Sequence, residues 1–146
     1  IEGLVETSNN IGILKLEEDA LYASCGVRSS FGSAKLHVSD QICYLTEFLG
    51  GEYHTHGDYP AWEYKKDSRL REIMSNVYHN MFHKEPVVKA IHAGLECGLF
   101  YDSIPGLDCV SFGPNMKDIH TTEEKLSISS TARMWDYLVE VLKEIH

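Results

Sequence analysis

The sequence predicts a mixed α/β chain built as two unlike halves joined near Pro60. Three patterns predict it. Residues 20–28 alternate apolar and polar with period two, as a half-buried strand does. Residues 68–83 and 130–145 carry apolar side chains at helical spacing. Between these regions, Tyr59, Pro60, Ala61 and Trp62 run into the polar Glu63, Lys65, Lys66 and Asp67, and a proline in a polar stretch between periodic segments marks a boundary.

In the first half, residues 10–16 read as a strand, 17–19 as a turn and 20–28 as a second strand, together a hairpin. Leu21, Ala23, Cys25 and Val27 share one face of the second strand and should meet a core, while Tyr22, Ser24, Gly26 and Arg28 share the other. Ser29 or Ser30 is placed to cap a helix reaching about Leu49, with Ala34, Val38, Gln41, Ile42, Leu45 and Phe48 on its apolar stripe and Gly50 and Gly51 ending it. Residues 52–56 read as a further strand, giving a β-β-α-β order.

In the second half, residues 68–83 form the clearest helix: Leu70, Ile73, Met74, Val77, Tyr78, Met81 and Phe82 fall on one stripe, a packing face. Residues 87–92 read as a strand, followed by a turn bearing Gly94 and Gly98. Residues 108–112 read as another strand, followed by a long loop through His120. A closing helix over 130–145 has Met134, Trp135, Leu138, Val141, Leu142 and Ile145 as its stripe. This strand and helix order suggests an α/β layer with parallel neighbours.

Composition narrows the function classes. The 146 residues hold 13 Lys plus Arg against 22 Asp plus Glu, a net charge of −9. Scattered basic residues on an acidic chain exclude a nucleic-acid partner, which needs clustered cations. At 43% hydrophobic and 24% charged the chain is foldable and of a length for one domain or two small ones. No apolar run approaches the roughly 20 residues of a membrane helix. The start, residues 1–4, is neither a signal peptide nor an initiator Met, so the chain reads as cytosolic and cut from something longer. Cys25, Cys43, Cys97 and Cys109 form no CxxC pair and read as buried, reduced thiols.

Five groups of residues invite chemistry. His79 and His83 stand one helical turn apart, but on the polar face beside Glu72, where solvent exposure is favoured over a metal site. His54 and His56 share one side of a predicted strand; a chelating pair and a half-exposed strand explain them equally. His37 and His146 carry no signal. His120 follows Ser111, Phe112, Gly113 and Pro114 out of a strand's carboxyl end, where α/β sheets bind ligands; Thr121 and Glu124 also match a capping box. Gly94 and Gly98 permit close backbone approach, and amides opening a following helix can hold a carboxylate, although such a turn is more often a tight connection and Glu96 within it is anomalous. Arg28, on the sheet's open face, can clamp a carboxylate with two hydrogen bonds or stand as solvated surface charge.

Taken together, residues 2–9 (EGLVETSN), 23–30 (ASCGVRSS), 59–63 (YPAWE), 91–100 (IHAGLECGLF), 111–114 (SFGP) and 120–124 (HTTEE) resemble the cytosolic aminoacyl-histidine (Xaa-His) dipeptidases of the M20 metallopeptidases, in order and over essentially the whole chain. The resemblance implies the C-terminal portion of such an enzyme. Residues 1–58 would be the C-terminal half of a sandwich-like lid domain that dimerises, and residues 59–146 the last part of an α/β zinc-peptidase catalytic domain. Position by position, His120 matches a metal ligand of a two-zinc site, which manganese or cobalt could also fill. Arg28 matches the lid arginine that grips the substrate carboxylate, Gly94 a glycine whose backbone holds the same group, and Glu96 lines that pocket. The family's other ligands and its catalytic Asp and Glu have no counterpart among these 146 residues. By this resemblance the parent is a cytoplasmic, homodimeric hydrolase of small dipeptides, and these residues alone should be inactive and bind zinc poorly. A non-catalytic module that binds a peptide or amino acid, or pairs with a second copy, is the alternative.

Overall fold

The computed structural model describes residues 5–91 and 96–145. The fold is mixed α/β, in two compact units: Ile1–Lys65 with Lys89–Leu107, and Lys66–Val88 with Asp108–His146.

In the first unit, β1 (Thr7–Leu16) and β2 (Leu21–Ser29) form the expected antiparallel hairpin, closed by the Glu17 amide donating to the Ala20 carbonyl at 2.8 Å. Its register slips between Ile11 and Ile13, so Gly12 is an extra residue in β1. The bulge brings Ile11, Leu14 and Leu16 opposite Cys25, Ala23 and Leu21, collecting the apolar side chains of both strands on one face. Only part of that face is covered. α1 (Gly32–Phe48) packs on β2, where Cys25 and Val27 are half-buried, while Leu21 and Ala23 stay exposed.

The start of α1 differs from expectation. Its N-cap is Phe31, without a side-chain cap. Ser29 and Ser30 are instead buried in the corner before the helix: the Ser29 hydroxyl accepts from the Phe31 amide at 3.0 Å and meets the Thr7 hydroxyl at 2.9 Å, and the Ser30 amide donates to the Glu6 carbonyl. The covered stripe of α1 runs through Ala34, Lys35, Val38, Ile42 and Thr46, leaving Gln41, Leu45 and Phe48 in solvent. Its end is as expected: Gly50 takes φ 78°, and the Gly50 and Gly51 amides return to the Glu47 and Thr46 carbonyls, a left-handed turn that glycine makes without strain.

In the second unit, α2 (Arg69–Phe82) packs against α4 (Ile128–Glu144) around Met74, Val77, Tyr137 and Val141. The α2 stripe is as expected. On α4 the buried line is Ser130, Tyr137 and Val141 with Met134 beside it, whereas Trp135, Leu142 and Ile145 are exposed. α4 has two apolar stripes, and spacing alone does not say which meets α2. The Tyr137 hydroxyl donates to the Met74 carbonyl at 2.8 Å, and its ring stands edge-on to Tyr78 and Phe112.

Segments 52–56, 87–91 and 108–112 are not strands, and residue 92 lies outside the described residues. Strands need a ladder partner, and among the described residues these segments have none; the two sheets described are antiparallel pairs, without the expected parallel layer. Two short elements were not anticipated: α3 (Glu96–Ser103), and a hairpin of β3 (Met116–Lys117) and β4 (Lys125–Leu126) within the expected long loop.

Val141, only 2% exposed, is the most buried of the core side chains. Val141→Ala is expected to lower unfolding free energy by about 2 kcal/mol in urea titration. Burial, with Tyr78 adding to it, pushes the Tyr137 hydroxyl pKa up, so the folded state holds this proton more tightly than the unfolded chain. That contribution is complete below the unfolded value of about 10 and is lost as pH rises through the folded value. Urea midpoints should fall with pH above about 10, and Tyr137→Phe should flatten the fall.

Candidate functional site

Of the four residues singled out by the sequence, the described residues of the first unit include two, Arg28 and Glu96. Arg28 lies on β2 opposite Ser8, exposed, on the face away from Cys25 and Val27, as the alternation requires. Its guanidinium makes no hydrogen bond or ion pair among the described residues, so its donors are available to a ligand. Its backbone is well fixed, because the buried Ser29–Ser30 corner follows it directly.

Glu96 opens α3 and is exposed, in the first turn, where a carboxylate is favoured by the helix dipole. Gly94 lies outside the described residues. Gly98 has a packing role: a Cβ there would stand 2.8 Å from the Pro60 carbonyl oxygen, so α3 rests directly on the Pro60–Trp62 backbone. The YPAWE and HAGLECG stretches meet at that contact. Cys97, between Glu96 and Gly98, has its thiol pKa raised by burial first and by the Glu96 charge second.

His120 belongs to the second unit, in the β3–β4 loop. It is exposed and takes φ 66°, next but one to Asp118 at φ 52°; two left-handed non-glycine residues in one loop are a local strain held by hydrogen bonds. The His120 amide donates to Glu124 Oε2 at 2.8 Å, Thr121 Oγ1 donates to the Asp118 carbonyl at 2.6 Å, and the Glu123 amide donates to Thr121 Oγ1. The polar bonds of Thr121 and Glu124 thus close a hairpin loop, not a helix start; the cap of α4 is Ser127, accepting from the Ser130 amide. The loop leaves the His120 ring without a hydrogen-bond partner among the described residues.

The SFGP stretch leads into this hairpin. Gly113, Pro114 and Asn115 line a recess of about 410 Å³ with Tyr78, Phe82, Lys84 and Arg133, and the Asn115 amide is fixed by the buried Ser130 hydroxyl at 2.8 Å.

Among the described residues, the other histidines form no site. His79 Nδ1 contacts Glu85 at 2.7 Å, His83 is the left-handed C-cap of α2, and His54 lies 3.6 Å from Glu52. Among the described residues, no three His, Cys, Asp or Glu side chains are grouped to hold a metal ion. His120 offers one donor where a tetrahedral site needs three or four. The four cysteines are half-buried, and no disulfide joins them. Among the described residues, no helix is long and apolar enough to cross a membrane.

Lys35 was not singled out, although its spacing to Val38 and Ile42 puts it on the covered stripe of α1, where a cation needs a partner. Its ammonium reaches Asp58 at 2.5 Å and the Tyr59 carbonyl.

Cys97 offers a direct check on the α3 start. Its thiol should alkylate slowly with iodoacetamide at pH 8, and Glu96→Gln, by removing the like charge, should speed the reaction; an unchanged rate would place the carboxylate away from Cys97.

No family model matches the chain. Cytosol non-specific dipeptidase of Escherichia coli (strain K12) is 35% identical over 144 residues, 99% of this chain and 30% of that relative. The crystal structure of aminoacylhistidine dipeptidase from Vibrio alginolyticus superposes with a TM-score of 0.83 at 36% identity, over 100% of this chain and 30% of that one. Aminopeptidase PepT from Bacillus cereus ATCC 10987 shares the fold, with a TM-score of 0.71 at 17% identity over 95% of this chain and 40% of that one. The chain spans about three tenths of the length of the curated relative it matches. The likeness carried by the motifs therefore holds along the whole chain, which is homologous to about three tenths of a dipeptidase.

Proposed function

We propose that these residues are part of a cytosolic metallo-dipeptidase that hydrolyses Xaa-His dipeptides, and that their task is to position substrate and to contribute one metal ligand. The observation that carries this reading is the identity of 35% along 99% of the chain to a dipeptidase, with Arg28 and His120 both exposed and unengaged.

In this reading residues 1–58 close a lid domain and residues 59–146 end a catalytic domain. Arg28 takes the substrate's carboxylate through two parallel hydrogen bonds, and the backbone at Gly94 takes the same group from another side. Glu96 borders that pocket. His120 donates one imidazole nitrogen to a metal completed by residues elsewhere in a longer protein; the described residues alone do not make such a site. A zinc pair, or manganese or cobalt in its place, supplies an activated water and a polarised carbonyl. This chain's own contribution is alignment, holding the scissile bond where that chemistry acts. Dimerisation would use the first unit, whose hairpin and α1 expose Leu14, Leu16, Leu45 and Phe48.

The test uses the full-length protein with an alanyl-histidine substrate. Arg28→Met should raise KM about 10- to 100-fold, the loss of a charge-assisted bidentate contact, with a smaller change in kcat. His120→Ala should reduce metal bound per chain, read by elemental analysis, together with kcat. An Arg28 variant with unchanged KM overturns the substrate role. The non-catalytic alternative predicts dipeptide binding, by calorimetry, to these 146 residues alone.

A further inference from the structure

We infer that Lys35 is a positioning residue: by holding the Asp58–Trp62 segment against α1, it sets Arg28 in register with the start of α3. The inference rests on the dipeptidase reading for its kinetic arm and on the geometry of the first unit for the rest.

Two contacts make the link. The Lys35 side chain is 15% exposed, and its ammonium meets Asp58 at 2.5 Å and the Tyr59 carbonyl, so one half-buried cation fastens side chain and backbone of the segment that follows α1. The next carbonyl, that of Pro60, is the one against which Gly98 of α3 lies with no room for a Cβ. Lys35 is seven residues after Arg28, across the buried Ser29–Ser30 corner; Gly98 is two residues after Glu96. A chain of short steps thus runs from the open-face arginine, through the corner, the first turn of α1 and the Asp58–Trp62 segment, to the helix that Glu96 opens. Each step is either covalent or a contact with little slack: a charge-assisted hydrogen bond is directional, and a backbone-to-backbone approach does not slide without losing contact. A carboxylate gripped by Arg28 in a pocket that Glu96 borders is held well only if the two ends of this link keep their separation, since misplacement by an ångström costs orders of magnitude in alignment.

Loss of Lys35 therefore acts on substrate alignment without touching substrate. In the full-length protein, Lys35→Met should raise KM for alanyl-histidine about tenfold, about 1.4 kcal/mol, at nearly constant kcat. Lys35→Arg, which keeps a cation for both acceptors, should restore most of it. Asp58→Asn, at the exposed partner, should give the same change in smaller measure without emptying the α1 face. The cycle with Arg28→Met identifies the role: the double variant should have no higher KM than Arg28→Met alone, whereas additive effects overturn the inference. Hydrogen exchange supplies an arm independent of activity. Lys35→Met should speed exchange at residues 59–62 and in α3 while leaving β1 and β2 unchanged, and equal exchange in all these segments overturns the inference. If the wild-type protein hydrolyses no dipeptide, the dipeptidase reading fails while the exchange arm still decides the link.

Discussion

The first unit is organised around one close approach, the Gly98 backbone against the carbonyl oxygen of Pro60. A methyl group at residue 98 would lie 2.8 Å from that oxygen, inside any tolerable contact. Glycine is thus required by packing, although its spacing from Gly94 also suits an anion-binding turn. The approach gives a short helix of eight residues a fixed seat. A helix of that length is marginal alone, so its position, and that of Glu96 at its start, comes from what it rests on. The same logic continues outward: the Pro60 segment is fastened by Lys35, α1 lies on β2, and two buried serines turn the chain from Arg28 into α1.

The second unit fixes its loop by a different means. Its apolar cluster is small, four buried side chains between α2 and α4, so much of the order beyond it comes from polar groups with definite partners. Asp108 accepts from the Ser68 hydroxyl at 2.7 Å and from the Leu70 amide at 2.9 Å, joining the segment before SFGP to the start of α2. Ser130 holds the Asn115 amide, and the Ser127 amide donates to the Asn115 carbonyl, so the stem of the β3–β4 hairpin is tied to the first turn of α4. Directional bonds suit this task, because a loop that must present an unengaged imidazole cannot bury it. The left-handed backbone of His120 itself and of Asp118 two residues before it is tolerated because Thr121 and Glu124 over-determine the loop.

What the sequence made legible is local. The hairpin, the α2 stripe and the glycine stop after α1 depend on residues close along the chain, and they were found where expected. The segments 52–56, 87–91 and 108–112 have strand-like composition, but a strand exists only in a ladder, and the partner of each is not written in the segment itself. On α4 the expected Met134 and Val141 do meet the core, but Tyr137 takes the place beside them while Trp135, Leu142 and Ile145 stay exposed, because the apolar residues spread over a wide arc of this helix and periodicity does not choose which edge is covered. Within the site, Arg28 was legible because strand alternation assigns its face without reference to anything distant. His120 was legible as a loop residue, but not its strained backbone. The roles of Gly94 and Glu96 came from resemblance, and the spacing that pointed to an anion turn described, at Gly98, a packing contact.

Charge sharpens the argument for positioning. These residues carry a net −9, so an anionic group approaching them meets no attractive field from these residues as a whole, and in the proposed reading long-range steering by them would not bring a dipeptide's carboxylate in. Glu96 adds a like charge at the opening of α3, the place where free amides would otherwise favour an anion. In the proposed reading, a carboxylate bound there gains only through contacts short enough to outweigh that repulsion, and the guanidinium of Arg28 would supply such contacts over a narrow range of distance and angle. Binding in such a site is decided by alignment more than by the sum of charges. In the proposed reading the half-buried cation of Lys35, bonded to both Asp58 and the Tyr59 carbonyl, then has a physical reason to sit where it does: it would hold the frame within which Arg28 works.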